Sequence, residues 1–196
     1  MNSTTDTPAP SGVSGFSYQI EAIAAFLKDA KEGIKASKND YVALKRLDPD
    51  AQTLATAQIA ALMNVAARAR LDCAKWTPDE WRRWAFIAYG IALAGHDRAD
   101  NTRSTLGRQL HLAGVSEARV TRLLDARGAA FFELLRRMLR LMNSRNVAPS
   151  WNQLGRLVLY EGAREGKRQD IAEKMRLDIA YGFFSANANA SASREQ

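Results

Sequence analysis

Residues 128–145 read GAAFFELLRRMLRLMNSR, and their spacing decides the fold. At about 100° per residue, Phe131, Leu134, Leu135, Met138, Leu139 and Met142 gather on one side of a helix, while Arg136, Arg137 and Arg140 fall on the opposite side with Glu133. Gly128 marks where this helix begins, and Pro149 closes the loop behind it. Working back towards the N-terminus, Ser116 caps a segment that holds Val120, Leu123 and Leu124, and a preceding helix from Leu106 stops at Gly114. Further back, Thr77-Pro78-Asp79-Glu80 is a helix start in which the threonine hydroxyl caps, proline fits the first turn and the glutamate reaches back. The helix beyond it buries Trp81, Trp84, Ala85, Ala88 and Ile91 and ends at Gly95.

The same periodicity fills the rest of the chain, and no strand is read anywhere. A first helix is expected over residues 18–34, burying Ile20, Ile23, Ala24, Leu27 and Ala30, and a short one over 41–47 capped by Asn39 or Asp40. Asp48 before Pro49 predicts another start, with Leu54, Ile59, Leu62, Met63 and Ala66 as its buried stripe. Downstream, Ser150 caps a helix over 151–164, and a last helix follows Gly166 to Phe184. The expectation is an all-α, single-domain bundle of about eight to nine helices spanning residues 16–184. Residues 1–15 and 185–196 are expected to be disordered tails, because their small and polar residues bury too little surface to offset ordering entropy.

Charge is distributed unevenly over this pattern. Residues 98–145 hold ten arginines, no lysine and only four acids, Asp100, Glu117, Asp125 and Glu133. Residues 1–97 hold eleven basic and eleven acidic residues, so the net charge of +7 lies in the second half. Such asymmetry points to a polyanionic partner, since summed charge on one face attracts and steers nucleic acid. Arginine in particular offers a planar fork of donors that fits phosphate oxygens. A GC-rich genome inflates Arg and Ala together, but that bias acts equally on residues 1–97, which hold six lysines and five arginines.

Other chemistries find little support. The single cysteine, Cys73, excludes a disulfide within the chain and reads as a small buried hydrophobe, which together with the absence of a membrane span or leader predicts a soluble cytoplasmic protein. His96-Asp97 matches the dyad of metal-dependent phosphohydrolases, but only His111 remains to complete a ligand set, so no metal or cofactor is expected. Glycine-rich phosphate loops and nucleophile elbows are absent, and no enzyme is nominated. Glu161 with Glu165 reads as an acidic helix face. Of the tryptophans, Trp84 reads as packing, and Trp76 is the one expected to be exposed.

Residues 106–127 also admit a helix-turn-helix reading, in which Ala113-Gly114-Val115 forms the turn and Glu117, Ala118 and Thr121 approach base edges in a major groove. Leu110 stands where that motif needs a small residue. The alternative function is therefore a DNA-binding transcriptional regulator.

Read with their neighbours, these residues resemble the CasB family, the small subunit of the type I-E Cascade CRISPR surveillance complex. Leu106-Gly107-Arg108, Ser116-Glu117-Ala118-Arg119, Arg122-Leu123-Leu124, Leu134-Leu135-Arg136-Arg137-Met138-Leu139 and the run from Val147 to Trp151 follow in that family's order. Asn39-Asp40 with Ala43-Leu44-Lys45-Arg46 is similar to its N-terminal element. Lys45 replaces the commoner arginine, Ser150 stands where an aspartate often precedes the tryptophan, and Leu159-Tyr160 lies in a region often richer in tryptophan. The resemblance implies a non-catalytic, all-helical subunit, present as two copies, packed against the repeated backbone subunits and the large subunit, with no membrane partner. It implies that the basic surface holds the displaced DNA strand and supports the hybrid of guide RNA and target DNA. Strand contacts are expected first from Arg46, Arg108, Arg119, Arg122 and Arg137, and next from Arg82, Arg83, Arg103 and Arg136. Arg127 and Arg145 are expected to be solvated.

Overall fold

A computed structural model describes residues 15–33, 38–48, 51, 53–97, 105–163 and 166–192. Among them the chain forms nine α-helices and one 3-10 turn, at Cys73–Lys75, and no strand. The helices are α1 (Gly15–Glu32), α2 (Lys38–Lys45), α3 (Thr56–Arg68), α4 (Pro78–Ala94), α5 (Leu106–Leu112), α6 (Glu117–Asp125), α7 (Gly128–Ser144), α8 (Trp151–Tyr160) and α9 (Lys167–Ala192). The all-α reading therefore holds, helix by helix, through the arginine-rich half.

The centre is α4. Thr77 Oγ1 accepts the Glu80 N–H at 3.3 Å while the Glu80 carboxylate accepts the Thr77 N–H at 2.8 Å, so two of the helix's orphan donors are satisfied reciprocally. From Trp84 to Ala92 every residue is buried, on all faces, because α1, α2, α3, α7 and α8 surround the helix. Gly90 makes that crowding possible, since a Cβ there would lie 2.3 Å from the Trp151 ring of α8. Trp151 is fully buried and its indole N–H donates to the Gly95 carbonyl at 2.9 Å. A second close crossing joins α5 to α9, where a Cβ on Gly107 would lie 2.1 Å from the Ile179 carbonyl oxygen. Backbone meets backbone there, so only glycine fits.

A buried polar seam ties the loop after α4 to α5 and α8. Gln109 accepts the Ser150 N–H at 2.7 Å and donates to Asp97 at 2.6 Å. His96, almost wholly buried, accepts the Trp151 N–H on Nδ1 at 3.2 Å, which leaves Nε2 to carry the proton and donate to Glu21 at 3.0 Å. His96 and Asp97 are thus structural, and each has its chemistry occupied by a neighbouring element.

Several boundaries differ from the sequence reading. The helix expected after Asp48-Pro49 begins later: Ala51 and residues 53–55 are not helical, and α3 starts at Thr56, where Gln58 accepts the Ala55 N–H at 3.0 Å. The Asp48 carboxylate, expected to mark that start, accepts from Arg136 of α7. The buried face of α3 is Ala61, Leu62, Val65 and Ala66, which leaves Ile59 and Met63 exposed. Trp76 is half-buried rather than exposed, stacked on Trp84 with ring centroids 5.7 Å apart and edge-on to Trp81 at 5.1 Å. Ser116 and Ser150 precede their helices without a side-chain capping bond. The helix expected to reach residue 164 ends at Tyr160, and α9 runs past Phe184 through residues 185–192, whose alanines favour a helix and prolong one already anchored. Gly15 belongs to α1, and residues 1–14 and 193–196 lie outside the described residues.

Glu161 overturns the expected acidic helix face. It is buried, pairs with the equally buried Arg176 of α9, and accepts the Gly128 N–H at 2.9 Å. Burial holds the Arg176 guanidinium below its ordinary value, and the Glu161 carboxylate offsets only part of that.

Candidate nucleic-acid interface

The α7 helix separates two arginine-bearing grooves because Arg136 and Arg137, adjacent in sequence, point to different flanks. On one side, between α6 and α7, lies a cavity of about 300 Å³ into which Arg119, Arg122 and Arg137 project. Val115, Arg119 and Arg122 follow the i, i+4, i+7 spacing on one wall, and Leu134, Met138 and Leu141 repeat it on the other. Arg119 and Arg122 are exposed and have no acidic partner among the described residues. Arg137 pairs with Glu133 one turn earlier, both side chains at least half exposed, so the contact is screened and contributes only about 0.3–0.5 kcal/mol. One carboxylate therefore stands beside three guanidiniums.

The other groove, between α4 and α7, is larger, at about 650 Å³, and electrically different. Arg83 donates to Asp79 at 2.5 Å and to the Val158 and Leu159 carbonyls at 2.6 and 3.3 Å, with its guanidinium 5.9 Å from the Phe132 ring centre. Those carbonyls close the C-terminal turn of α8, where a cation is favoured by orphan acceptors. Arg136 donates to Asp48 at 3.2 Å. Arg82 alone of the three is exposed without a partner among the described residues. Arg83 and Arg136 thus serve the fold first; apart from Asp79, one turn before Arg83, their partners come from distant parts of the chain.

The remaining expected contacts are spread out. Arg46 is exposed just beyond α2 and lines neither of these grooves. Arg108 is exposed on α5 and lines a separate groove against α9 with His111, Tyr181 and Asn189. Arg103 lies outside the described residues. Arg127, expected to be solvated, donates to the Leu124 and Ala126 carbonyls at 2.7 and 3.0 Å and pairs with Glu173, while Arg145 is exposed. The structure therefore brings Arg119, Arg122 and Arg137 together, puts Arg82, Arg83 and Arg136 along a second groove, and leaves Arg108 on a third. Leu134 and Met138, beneath the first group, belong to the apolar stripe expected on α7; that they floor a groove depends on how α6 packs beside them.

Within residues 106–127 the helix, turn and second helix form as read, with Gly114 at φ +69° in the turn. The two helices do not rest chiefly on one another: α5 packs on α9, and α6 on α7 and α9. Leu110 is buried in that packing. No helix among the described residues is long and apolar enough to cross a membrane.

These features define an all-helical protein whose exposed arginines line grooves between helices. The family model for CRISPR-associated protein Cse2 matches residues 41–184, so the chain belongs to the Cse2 family, the CasB small subunits of the type I-E CRISPR Cascade complex. Members of this family are structural subunits of that multi-subunit assembly. No curated protein and no solved structure matches the chain.

Proposed function

We propose that this chain stabilises the R-loop of a type I-E Cascade by holding the displaced DNA strand on the α6–α7 groove and supporting the hybrid of guide RNA and target DNA. The observation that carries the reading is the convergence of Arg119, Arg122 and Arg137 on one cavity with a single acid among them. Guanidiniums so placed neutralise phosphates without reading bases, which fits a complex in which base pairing to the guide supplies the sequence specificity. Holding the displaced strand disfavours its reannealing. Arg46, Arg82 and Arg108 extend the basic surface towards the other subunits and a second copy of the chain, while Arg83 and Arg136 contribute mainly by shaping the α4–α7 groove. The chain acts without catalysis of its own, inside the cell where the complex operates.

The test is Arg119→Ala with Arg137→Ala in the assembled complex. R-loop lifetime should shorten whatever the target sequence, and the slope of log affinity against log salt for a single strand should fall by roughly 0.7 for each phosphate no longer neutralised. An R-loop lifetime that stays the same across a salt series would overturn the reading.

A further inference from the structure

Phosphate recognition does not account for the bottom of the α6–α7 groove. Val115 and Met138 are buried there and Leu134 and Leu141 are half-buried, so the three guanidiniums rim a floor of aliphatic and thioether groups. A phosphate gains nothing from such a floor, because moving its charge onto apolar surface costs hydration that only the rim arginines return. A duplex makes no use of it either, since its base faces are stacked inside and only phosphates, sugars and groove edges reach a protein surface. An unpaired nucleobase has the matching chemistry: a flat apolar face next to a phosphate on either side. The cavity of about 300 Å³ is at the small end of ligand sites, with room for one such group.

We propose that this groove is a base seat as well as a phosphate rim, with one unstacked nucleobase lying on Leu134, Met138 and Leu141 while its flanking phosphates engage Arg119, Arg122 and Arg137. The planar guanidiniums of Arg119 and Arg122, one turn apart, supply further flat surface for a base to stack against. The floor has no hydrogen-bond donor or acceptor among its aliphatic side chains, so the seat accepts any base. This inference rests on the nucleic-acid reading above and deepens it: the groove selects single strands over duplexes, and strands with bases over bare sugar-phosphate chains.

Abasic DNA tests it, because it keeps every phosphate and removes only the bases. With the full chain and fluorescently labelled strands of equal length, an abasic oligonucleotide should bind about three- to ten-fold more weakly than oligothymidylate, while oligothymidylate and oligoadenylate should agree within about three-fold. In Leu134→Ala/Leu141→Ala, shown to be folded by circular dichroism, the abasic penalty should shrink. Should that variant not fold, the comparison on the unaltered chain decides. Equal affinity for thymidylate and abasic strands, or a penalty that persists undiminished in the folded floor variant, would overturn the base seat. If the strands bind equally yet Arg119→Ala/Arg137→Ala still lowers the salt slope, the base seat fails and the phosphate reading stands; if the slope does not respond either, both fail.

Discussion

Glu161 and Arg176 show what a single pair of residues does for the groove. Arg176 of α9 reaches the end of α6, where its Nε donates to the Leu124 carbonyl at 3.2 Å and its Nη2 to that of Ala126 at 3.3 Å. Glu161 meets the start of α7 through the Gly128 N–H. A cation at one helix C-terminus and an anion at the next helix N-terminus are each favoured by the orphan backbone groups there. The pair therefore fixes the corner from which α6 and α7 diverge, and with it the distance between the arginine-bearing walls. Its guanidinium also lies 5.5 Å from the Phe131 ring centre, and one nitrogen, Nη1, is buried without a hydrogen bond among the described residues. Glu161→Ala should cost about 3–5 kcal/mol, because it strands a buried cation, and should lower the melting temperature by roughly 10 °C or more. Glu161→Leu with Arg176→Met should cost clearly less than the two single changes summed, as measured by a double-mutant cycle in urea. Nothing local in the sequence announces this pair: its members are fifteen residues apart on different helices, and only tertiary packing makes either of them buried.

At the scale of the elements, what was legible from sequence is what local chemistry decides. The Thr77-Pro78-Asp79-Glu80 start and the stripe of α7 needed no partner to be read, and both stand as expected. Sequence and structure part where the environment decides instead. Asp48-Pro49 has the composition of a helix start, yet Asp48 is claimed by Arg136 from α7, and Ile59 and Met63 fit a buried stripe that α3 turns towards solvent. Likewise the convergence of the rim arginines requires two helices packed together, and what sets Arg83 apart from Arg82 is the pair of α8 carbonyls it reaches across the fold. The α4 cap also has a pH signature. Glu80 is held below the usual carboxylate range by the Thr77 N–H and then by the Thr77 hydroxyl. A depressed carboxylate stabilises the fold above its unfolded value, near pH 4.3–4.5, and that contribution disappears as pH falls through the folded one. Glu80→Gln should therefore lower the melting temperature at neutral pH and have little effect at pH 3, in thermal melts followed by circular dichroism, whereas Thr77→Ala, which removes the capping hydroxyl and keeps the Thr77 N–H, should cost about 1 kcal/mol, or roughly 2–4 °C.

For the whole molecule, the net charge of +7 is less a single patch than separate clusters carried by different helix pairs. Arg119, Arg122 and Arg137 share the α6–α7 groove, whereas Arg108 belongs to the α5–α9 crossing that Gly107 brings together. Exposed charges further apart than a Debye length, about 8 Å at physiological salt, act almost independently, and changes at distant sites without shared partners add within about 0.3–0.5 kcal/mol. A strand held only at α6–α7 would pass Arg108 by, and its binding would feel the removal of that charge only at low salt through the long-range field. A strand that runs on to α5 would contact Arg108 directly. Because Arg108 is exposed beside Tyr181 and Asn189 and is tied to no acid among the described residues, we expect the second behaviour. Adding Arg108→Ala to Arg119→Ala/Arg137→Ala should lower the single-strand salt slope by roughly a further 0.7, and the drop in affinity should add to that of the double change at about 0.15 M salt. A slope indifferent to Arg108 would confine the strand to the α6–α7 groove and leave the α5–α9 face to protein contacts within the complex.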